Sequence, residues 1–581
     1  MESAVHAERL SAGKAALADL RALVGARFVR TTPSATRVYR KAFRSGGGDA
    51  LAVILPGSLV ELWQVLERCT RADFAIIVQA ANTGLTGGST PASDGYDRPV
   101  VIINVMRIKG IAAINGGNQV LCMPGATLHA LEQSLRPIGR EPHSVIGSSC
   151  FGASVVGGVC NNSGGSLVRR GPSFTQYALF ARSTAEGGLE LVNHLGIELG
   201  STPLEILGRL DAGDYPHEAV PADGRAASDP GYAECVRDVD ADSPARHNAD
   251  PRCLFEASGS AGKLAVFAVR LDTFPIEAAT RTFYIGAATS EPLATLRRQI
   301  LTEARNLPIA GEYLHEEAFD LADRYGKDQF LLIEKLGTDR LPGFFALKSR
   351  IDALLARKWL PANPIDRLLH AMGGLLPDHL PERMRTWRKR FPHHLLLKVS
   401  GSDAEETQAM LAGWRAAHPG VDFFECTDAE AKKAFLHRFV IAGAAVRFQA
   451  IHAGKVAGTL SLDIALRRND RDWFEALPPE IDRQILHRIY YGHFLCHVLH
   501  QDYVVAAGSD CDTLKGAMLA GLDARGARYP AEHNVGHSYV AAPPLADFYR
   551  GLDPANQFNP GIGKTSRLRN HGAAGQVPPT A

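Results

Sequence analysis

The chain lacks most of the devices that announce a partner. It carries 63 Lys+Arg against 62 Asp+Glu, a formal net charge of +1, so no global field draws it to nucleic acid or to a charged surface. Its nine cysteines (Cys69, Cys122, Cys150, Cys160, Cys235, Cys253, Cys426, Cys496 and Cys511) form no C-x-x-C pair. That excludes a zinc ribbon or disulfide frame and suggests free thiols in a reducing compartment. No run approaches the ~18–20 apolar residues that span a bilayer. The first residues, with AERLSAGKAALADLRALVG, form a charged helical pattern unlike a signal peptide. The expectation is a cytoplasmic protein whose membrane contacts are peripheral. No Gly-Lys-Ser/Thr follows a glycine-rich loop, and no G-x-G-x-x-G is paired with a ribose-binding acid, which excludes the two commonest nucleotide grips.

What is present is glycine, 56 residues of it in a 581-residue chain with room for two to four domains, and ten of them crowd into two short stretches. Residues 141–172 read EPHSVIGSSCFGASVVGGVCNNSGGSLVRRGP, nearly free of charge before Arg169. A flexible linker would lack the buried-type Val145, Ile146, Val155, Val156 and Val159. Residues 79–91 read QAANTGLTGGSTP and follow the apolar run Phe74 to Val78, a buried strand by pattern. Strand followed by Gly-rich loop suits an anion held by backbone N–H groups, that is, a nucleotide pyrophosphate. The donors assigned are Ala80, Ala81, Asn82, Thr83, Gly84, Gly88 and Ser89 in this loop, and Gly147, Ser154 and Gly164 in the longer stretch.

Elsewhere strands and helices alternate. Strands are expected at Ala52–Leu55, Val100–Asn104, Val120–Met123, Leu264–Val269, Thr282–Ile285, His394–Val399 and Leu460–Leu466. Helices are expected at Leu59–Arg71, Leu128–Leu135, Glu291–Asn306 and Ala404–Ala417. The fold class is α+β. Asp211 to Asp250, rich in Asp, Pro, Gly and Ala, reads as an irregular surface excursion without assignable chemistry.

Two histidine clusters carry chemistry. Tyr490 to His500 holds His493, His497 and His500; along one strand His493 and His497 would share a face, but around a turn His493 and His500 could converge. Glu532-His533-Asn534-Val535-Gly536-His537 adds a carboxylate beside imidazoles. Such material builds a metal site or a general base with its orienter; the plainer alternative is buried, hydrogen-bonded histidine.

These motifs, with HNADPRCLFEASGSAGKLAVFAVRLDTF and YYGHFLCHVLHQDY, resemble the vanillyl-alcohol-oxidase-type FAD family, and within it the respiratory, quinone-dependent D-lactate dehydrogenases of bacteria, from about Arg37 to Ser566. The resemblance implies a two-part FAD-binding domain with a cap domain. It implies non-covalent FAD, contacted near Val266, with D-lactate as reductant and quinone as acceptor. It implies His493, His500 and Glu532 as metal ligands, His533 beside them, and Arg438 as the clamp for a substrate carboxylate; a surface salt bridge is the plainer alternative for Arg438. The metal set is that of related flavin 2-hydroxy-acid dehydrogenases, and two departures from their pattern bear on it: Phe494-Leu495-Cys496-His497 stands where they have Gly-Asp-Gly-Asn, and Asn534 where they have the glycine after Glu-His. The metal therefore stays open.

The expected divisions are 1–275 for the first part of the FAD domain and 276–334 with 391–519 for the cap. A basic membrane-contact segment spans 335–390, the closing part of the FAD domain 520–570, and a frayed tail 571–581. Residues 335–390 hold twelve Lys/Arg against five Asp/Glu, a net of +7, with Phe344, Phe345, Trp359 and Trp387 among them. That composition suits reversible docking on the anionic phospholipid of the cytoplasmic face of the inner membrane. The rival readings are a soluble dehydrogenase of another D-2-hydroxy acid, such as 2-hydroxyglutarate, and a flavin-binding membrane scaffold without turnover.

Overall fold

The computed structural model describes residues 13, 15–42, 46–143, 152–336, 364–375 and 377–572. Three sheets organise it. The first joins β1 (Val29–Arg30), β2 (Ala52–Ile54), β3 (Ala75–Gln79) and β4 (Val100–Asn104) in the order β1-β2-β4-β3, with β2 and β3 both parallel to β4. Its strands are continuous apolar runs because both faces are covered. The helix Leu59–Arg71 starts as its sequence directs: the Ser58 side chain accepts from the Glu61 amide at 3.1 Å.

The second sheet contains β5 (Ile111–Ile114), β6 (Gln119–Cys122), β7 (Arg140–Pro142), β8 (Ala178–Ser183), β9 (Leu189–Asn193) and β10 (Ala265–Pro275). The C-terminal segment returns to the first sheet, where Ile76 donates to Gln557 O at 2.9 Å and Asn559 donates to Ile76 O at 2.8 Å. Asp553, fully buried, holds this strap in shape by accepting from the amides of Gln557 and Phe558 at 2.9 and 2.8 Å.

The third sheet is antiparallel. It comprises β11 (Thr280–Ala287), β12 (Ala310–His315), β13 (His393–Ser400), β14 (Val421–Glu425), β15 (Val456–Ala465), β16 (Ile485–His493) and β17 (Val498–Ala506), in the order β14-β11-β13-β12-β16-β17-β15. Alternation sorts its side chains. Phe283, Ile285, Leu395 and Leu397 face one helical layer, and Tyr284, Leu314 and Leu396 face the other.

Three sequence expectations change. The helix Asp428–Ile451, at 24 residues, is long and apolar enough by composition to cross a membrane, yet half of its most apolar stretch is buried in the fold. Val440, Ile441, Ala444 and Ala445 pack it onto the third sheet, so it is a core helix of the cap. The excursion 211–250 is not purely superficial: it contains the helix Tyr232–Arg237, and Tyr232, Val236, Val239 and Ala245 enter the cap core. The helix Glu382–Arg390, inside the expected basic segment, spends its charge on its neighbours. Arg383 pairs with Glu430, Arg385 with Asp323 and Asp378, Arg388 with Glu316 and Asp320, and Arg390 with Asp422. Residues 337–363, which hold Phe344, Phe345, Trp359 and five of the basic residues of that segment, lie outside the described residues, as does Gly147.

The cap core also buries histidines among aromatic rings. His437 stands 4.4 Å from Phe319, and His379 stands 4.5 Å from Phe330, centroid to centroid. Burial pushes His379 down to about 4, and His393 and His437 to about 3. The unfolded chain therefore binds protons below a pH of about 6.5 that the folded chain refuses, and stability is full above that value and falls as pH drops toward 4. Thermal melts are expected to move to lower temperature from pH about 6.5 to about 4.5, and His437→Leu is expected to flatten that slope.

Candidate functional site

Four neighbouring strands of the third sheet build the site in a row. Glu312 on β12 is the direct cross-strand partner of His493 on β16, and Asp463 on β15 is the direct partner of His500 on β17. The β16–β17 connection is a tight turn, Phe494–Cys496, followed by His497 in the left-handed conformation at φ 53°. That turn brings His493 and His500 onto one face, with their Nε2 atoms 3.5 Å apart. His497 points elsewhere: it is fully buried, its Nδ1 meets Arg467 O at 3.0 Å, and burial holds its pKa well below the usual range.

Each imidazole is held from behind by its strand partner. His493 Nδ1 is 2.6 Å from Glu312 Oε1, and His500 Nδ1 is 3.2 Å from Asp463 Oδ1. The fourth component arrives from the C-terminal part of the chain. Ala531 donates to Asp463 O at 3.0 Å and the Glu532 amide donates to Asp463 Oδ2 at 2.7 Å. This delivers Glu532 Oε2 to 3.4 Å from His493 Nε2 and 3.8 Å from His500 Nε2. Ligands at about 2.1 Å around a tetrahedral ion stand roughly 3.4 Å from one another, so this donor set fits a divalent cation. Carboxylates behind both imidazoles are the usual supports of histidine ligands. His533 sits at the rim, with Nε2 3.9 Å from Asp463 Oδ2 and its side chain 31% exposed.

Charge balance sets the protonation. Burial alone would raise Glu312, Asp463 and Glu532 and lower His493. Instead, His493 and Arg438 hold the Glu312 carboxyl low, and His493 and Arg246 hold Glu532 well below its usual range. The His500 hydrogen bond and His533 hold Asp463 low. Glu312 and Glu532 overcome burial at His493 and push it up to about 10.

Arg438 lies on the helix Asp428–Ile451, buried rather than in a surface salt bridge. Its Nη2 is 3.0 Å from Glu312 Oε2 and its guanidinium carbon stands 4.5 Å from the Tyr491 ring centroid. Its Nε is buried without a partner among the described residues. Arg447, by contrast, is tied to Asp328 and Asp366 at 2.9 and 2.8 Å, away from this cluster.

Sequence reasoning missed Glu312, Asp463 and Arg246. The first two are identified only by strand register. Arg246 comes from the excursion thought to be superficial; it bonds Glu532 and, at 2.7 Å, Gly165 O. Gly164 allows this approach, because a Cβ there would fall 2.6 Å from Glu532 Oε1 and 2.8 Å from Arg246 Cζ. The second glycine-rich stretch thus abuts the histidine cluster directly.

The first glycine-rich loop fits the pyrophosphate of FAD. Its carbonyls are used outward: Gly88 O accepts from Asn559 at 2.8 Å, Ser89 O from Gln79 at 2.7 Å, and Thr86 O from the His537 amide at 3.0 Å. Among the described residues none accepts from the amides of 82–88, and a Cβ on Gly84 would meet nothing within 4 Å. Donors turned to an open face form an anion nest. Ala80 and Ala81 lead into it from β3; Asn82, at φ 56°, makes its bend. Thr83 follows Asn82. Ser154 caps the short helix Val155–Cys160, its Oγ accepting from Gly157 N at 3.1 Å. Val266 packs beside that helix with Val155, Val156, Val159 and Phe180, next to a bulge in the β10–β8 register.

The fold and this amide-lined loop define an FAD-binding oxidoreductase of the vanillyl-alcohol-oxidase type. The family described as "FAD binding domain" matches residues 50–186, and that described as "D-lactate dehydrogenase, membrane binding" matches 282–571. In architecture the chain is similar to p-cresol methylhydroxylase with substrate bound, at TM-score 0.56 and 11% identity over 95% of this chain and 97% of that one. In sequence it is 56% identical to the quinone-dependent D-lactate dehydrogenase of Escherichia coli (strain K12), over 96% of this chain and 98% of the relative. It is 52% identical to the protein of the same name from Haemophilus influenzae, over 94% and 97%. The chain belongs to the family of quinone-dependent D-lactate dehydrogenases.

Gly84→Val fills the open side of the nest with a branched side chain. Protein of this variant is expected to fold, with far-UV dichroism like the parent's, and to purify without flavin absorbance; normal FAD content would remove this loop from the cofactor site.

Proposed function

We propose that the chain oxidises D-lactate to pyruvate and passes the electrons through FAD to a membrane quinone. The observation that carries the reading is the buried assembly of Arg438, with a free Nε donor, beside two imidazoles whose Nε2 atoms converge on Glu532. A 2-hydroxy acid needs three things: a carboxylate anchor, a base for the hydroxyl proton, and a hydride acceptor. FAD, when bound, supplies the acceptor at N5. Arg438 anchors the carboxylate with donors that Glu312 leaves free. A divalent ion held by His493, His500 and Glu532 would lower the pKa of the substrate hydroxyl beside it. His533, at the rim with Asp463 behind it, takes the hydroxyl proton. Anchoring both ends of a small substrate fixes the direction of its Cα–H bond, which contributes to rate through orientation alone. FAD is held without a covalent link.

Anaerobic mixing with D- and L-lactate tests the reading. D-lactate is expected to bleach the flavin, L-lactate to leave it yellow, and a soluble quinone to restore it. Failure of D-lactate where D-2-hydroxyglutarate succeeds would transfer the reading to another 2-hydroxy acid, and failure of every 2-hydroxy acid would favour a flavin-binding scaffold. Arg438→Ala is expected to raise the KM for D-lactate with a smaller effect on the limiting rate. His500→Ala and His533→Ala are expected to slow flavin reduction by ~10²–10⁴. Chelation followed by Zn²⁺ or Mn²⁺ is expected to abolish and restore reduction in the parent.

We further propose that membrane contact is peripheral, on the cytoplasmic face of the inner membrane, and is made by 337–363 rather than by the whole of 335–390. Those residues carry five Lys/Arg against two Asp/Glu with Phe344, Phe345 and Trp359, whereas the helix Glu382–Arg390 has its arginines paired within the protein. Basic residues at an anionic surface contribute about 1 kcal/mol each, and the aromatics add anchoring. Binding to vesicles containing anionic phospholipid is expected to weaken with salt and to survive Arg390→Gln, but to be lost on deletion of 343–361, with dye-linked D-lactate oxidation retained. Equal binding to neutral and anionic vesicles at every salt concentration would refute the electrostatic component.

A further inference from the structure

Glu312 bonds both halves of the proposed chemistry, the imidazole of His493 and the guanidinium of Arg438. It is 4% exposed on β12, with Oε1 2.6 Å from His493 Nδ1 and Oε2 3.0 Å from Arg438 Nη2. The imidazole belongs to the sheet and the guanidinium to the helix packed across it, so nothing covalent nearby fixes their separation. The Arg438 guanidinium is further restrained by the Tyr491 ring against its face, and its backbone by its own helix. Tyr491 is steadied in turn, its hydroxyl donating to Asp502 at 2.9 Å.

We propose that Glu312 is a positioning residue for the oxidation: a single carboxylate that sets the distance and orientation of Arg438 relative to His493, and so aligns the substrate's carboxylate with its reacting hydroxyl. This rests on the reading of the site given above. The geometry favours a clamp over simple charge neutralisation. The two carboxylate oxygens are divided between two partners, one each, as a bridge requires. Glutamine in the same place keeps the shape but offers one acceptor and one amide donor, so it cannot accept from both an imidazole N–H and a guanidinium N–H through separate oxygens. A shorter carboxylate keeps the charge but loses the span.

Stopped-flow reduction of the flavin-loaded enzyme by D-lactate, without oxygen, yields a half-saturating concentration and a limiting rate per bound flavin. Arg438→Lys is expected to move chiefly the first, and His493→Asn chiefly the second. Glu312→Gln alone is expected to move both, each by about tenfold. Adding Arg438→Lys to Glu312→Gln is then expected to raise the half-saturating concentration by no more than about twofold further, because the tie is already broken. If Glu312→Gln does not retain flavin, Glu312→Asp carries the same test. A purely structural role would lower flavin content or melting temperature and leave both constants per flavin unchanged. That result would overturn the proposal, as would additive losses with both partner substitutions. A parent enzyme that D-lactate does not bleach would overturn the functional reading instead.

Discussion

Buried charge must be balanced, and the balance struck at the seam between the two halves of the chain is what the rest of the arrangement depends on. Glu312, Asp463 and Glu532 bring three negative charges out of water, and Arg246 and Arg438 return two positive ones. A carboxylate without compensation in such a place would cost several kcal/mol, so the missing positive charge has to come from an imidazole or an ion. His493, pushed up to about 10, takes it as a proton. A cation bound by the same nitrogen would have to displace that proton, which makes metal binding and protonation alternatives at one atom. The seam is therefore held together by contributions from six separated segments: the excursion before β10, the strand β12, the helix Asp428–Ile451, the strand β15, the hairpin β16–β17, and the loop carrying Glu532.

Local features were legible wherever the sequence carries its own signal. The helix Leu59–Arg71 is bounded as expected because Pro-Gly-Ser supplies a breaker and a cap, and Leu128–Leu135 because Thr127 caps it at 3.2 Å from Ala130 N. Strand ends moved by two residues in Thr280–Ala287 against the expected Thr282–Ile285, by four at the start of Val456–Ala465 and by six at the end of Ala265–Pro275, since pairing extends past the apolar residues that betray a strand. The convergence of His493 and His500 was legible as one of two options. A seven-residue spacing fits a hairpin as well as a continuous strand, and only the tight turn at Phe494–Cys496 decides between them.

What stayed illegible depends on register or on burial over long separations. Glu312 lies 181 residues from His493, and nothing in its neighbourhood distinguishes it from a solvated glutamate. Asp463 becomes informative only once β15 is paired with β17. Arg246 was hidden by composition: Asp-, Pro- and Gly-rich sequence normally means surface, yet Tyr232, Val236 and Val239 give the excursion enough apolar area to anchor it in the cap core. Net charge misled in the same way. The arginines of Glu382–Arg390 look like a docking face in one dimension, while their acidic partners are scattered between 316 and 430.

Asn534 shows how a departure from a family's motif can be read once neighbours are known. A glycine after Glu-His would have backbone freedom alone; Asn534 brings a side chain that accepts from Thr86 at 3.1 Å and bonds Asn161. Thr86 belongs to the first glycine-rich loop and Asn161 to the second, so one amide joins both nests to the loop that delivers Glu532. Asn534 has a counterpart: at Gly88 a Cβ would fall 2.5 Å from Asn534 Oδ1, so the asparagine requires glycine across from it. The two positions behave as a pair, an added bond on one side and an omitted side chain on the other. Asn534 thus ties the cofactor loops to the histidine cluster, in which His493, His500 and Glu532 are spaced to hold an ion.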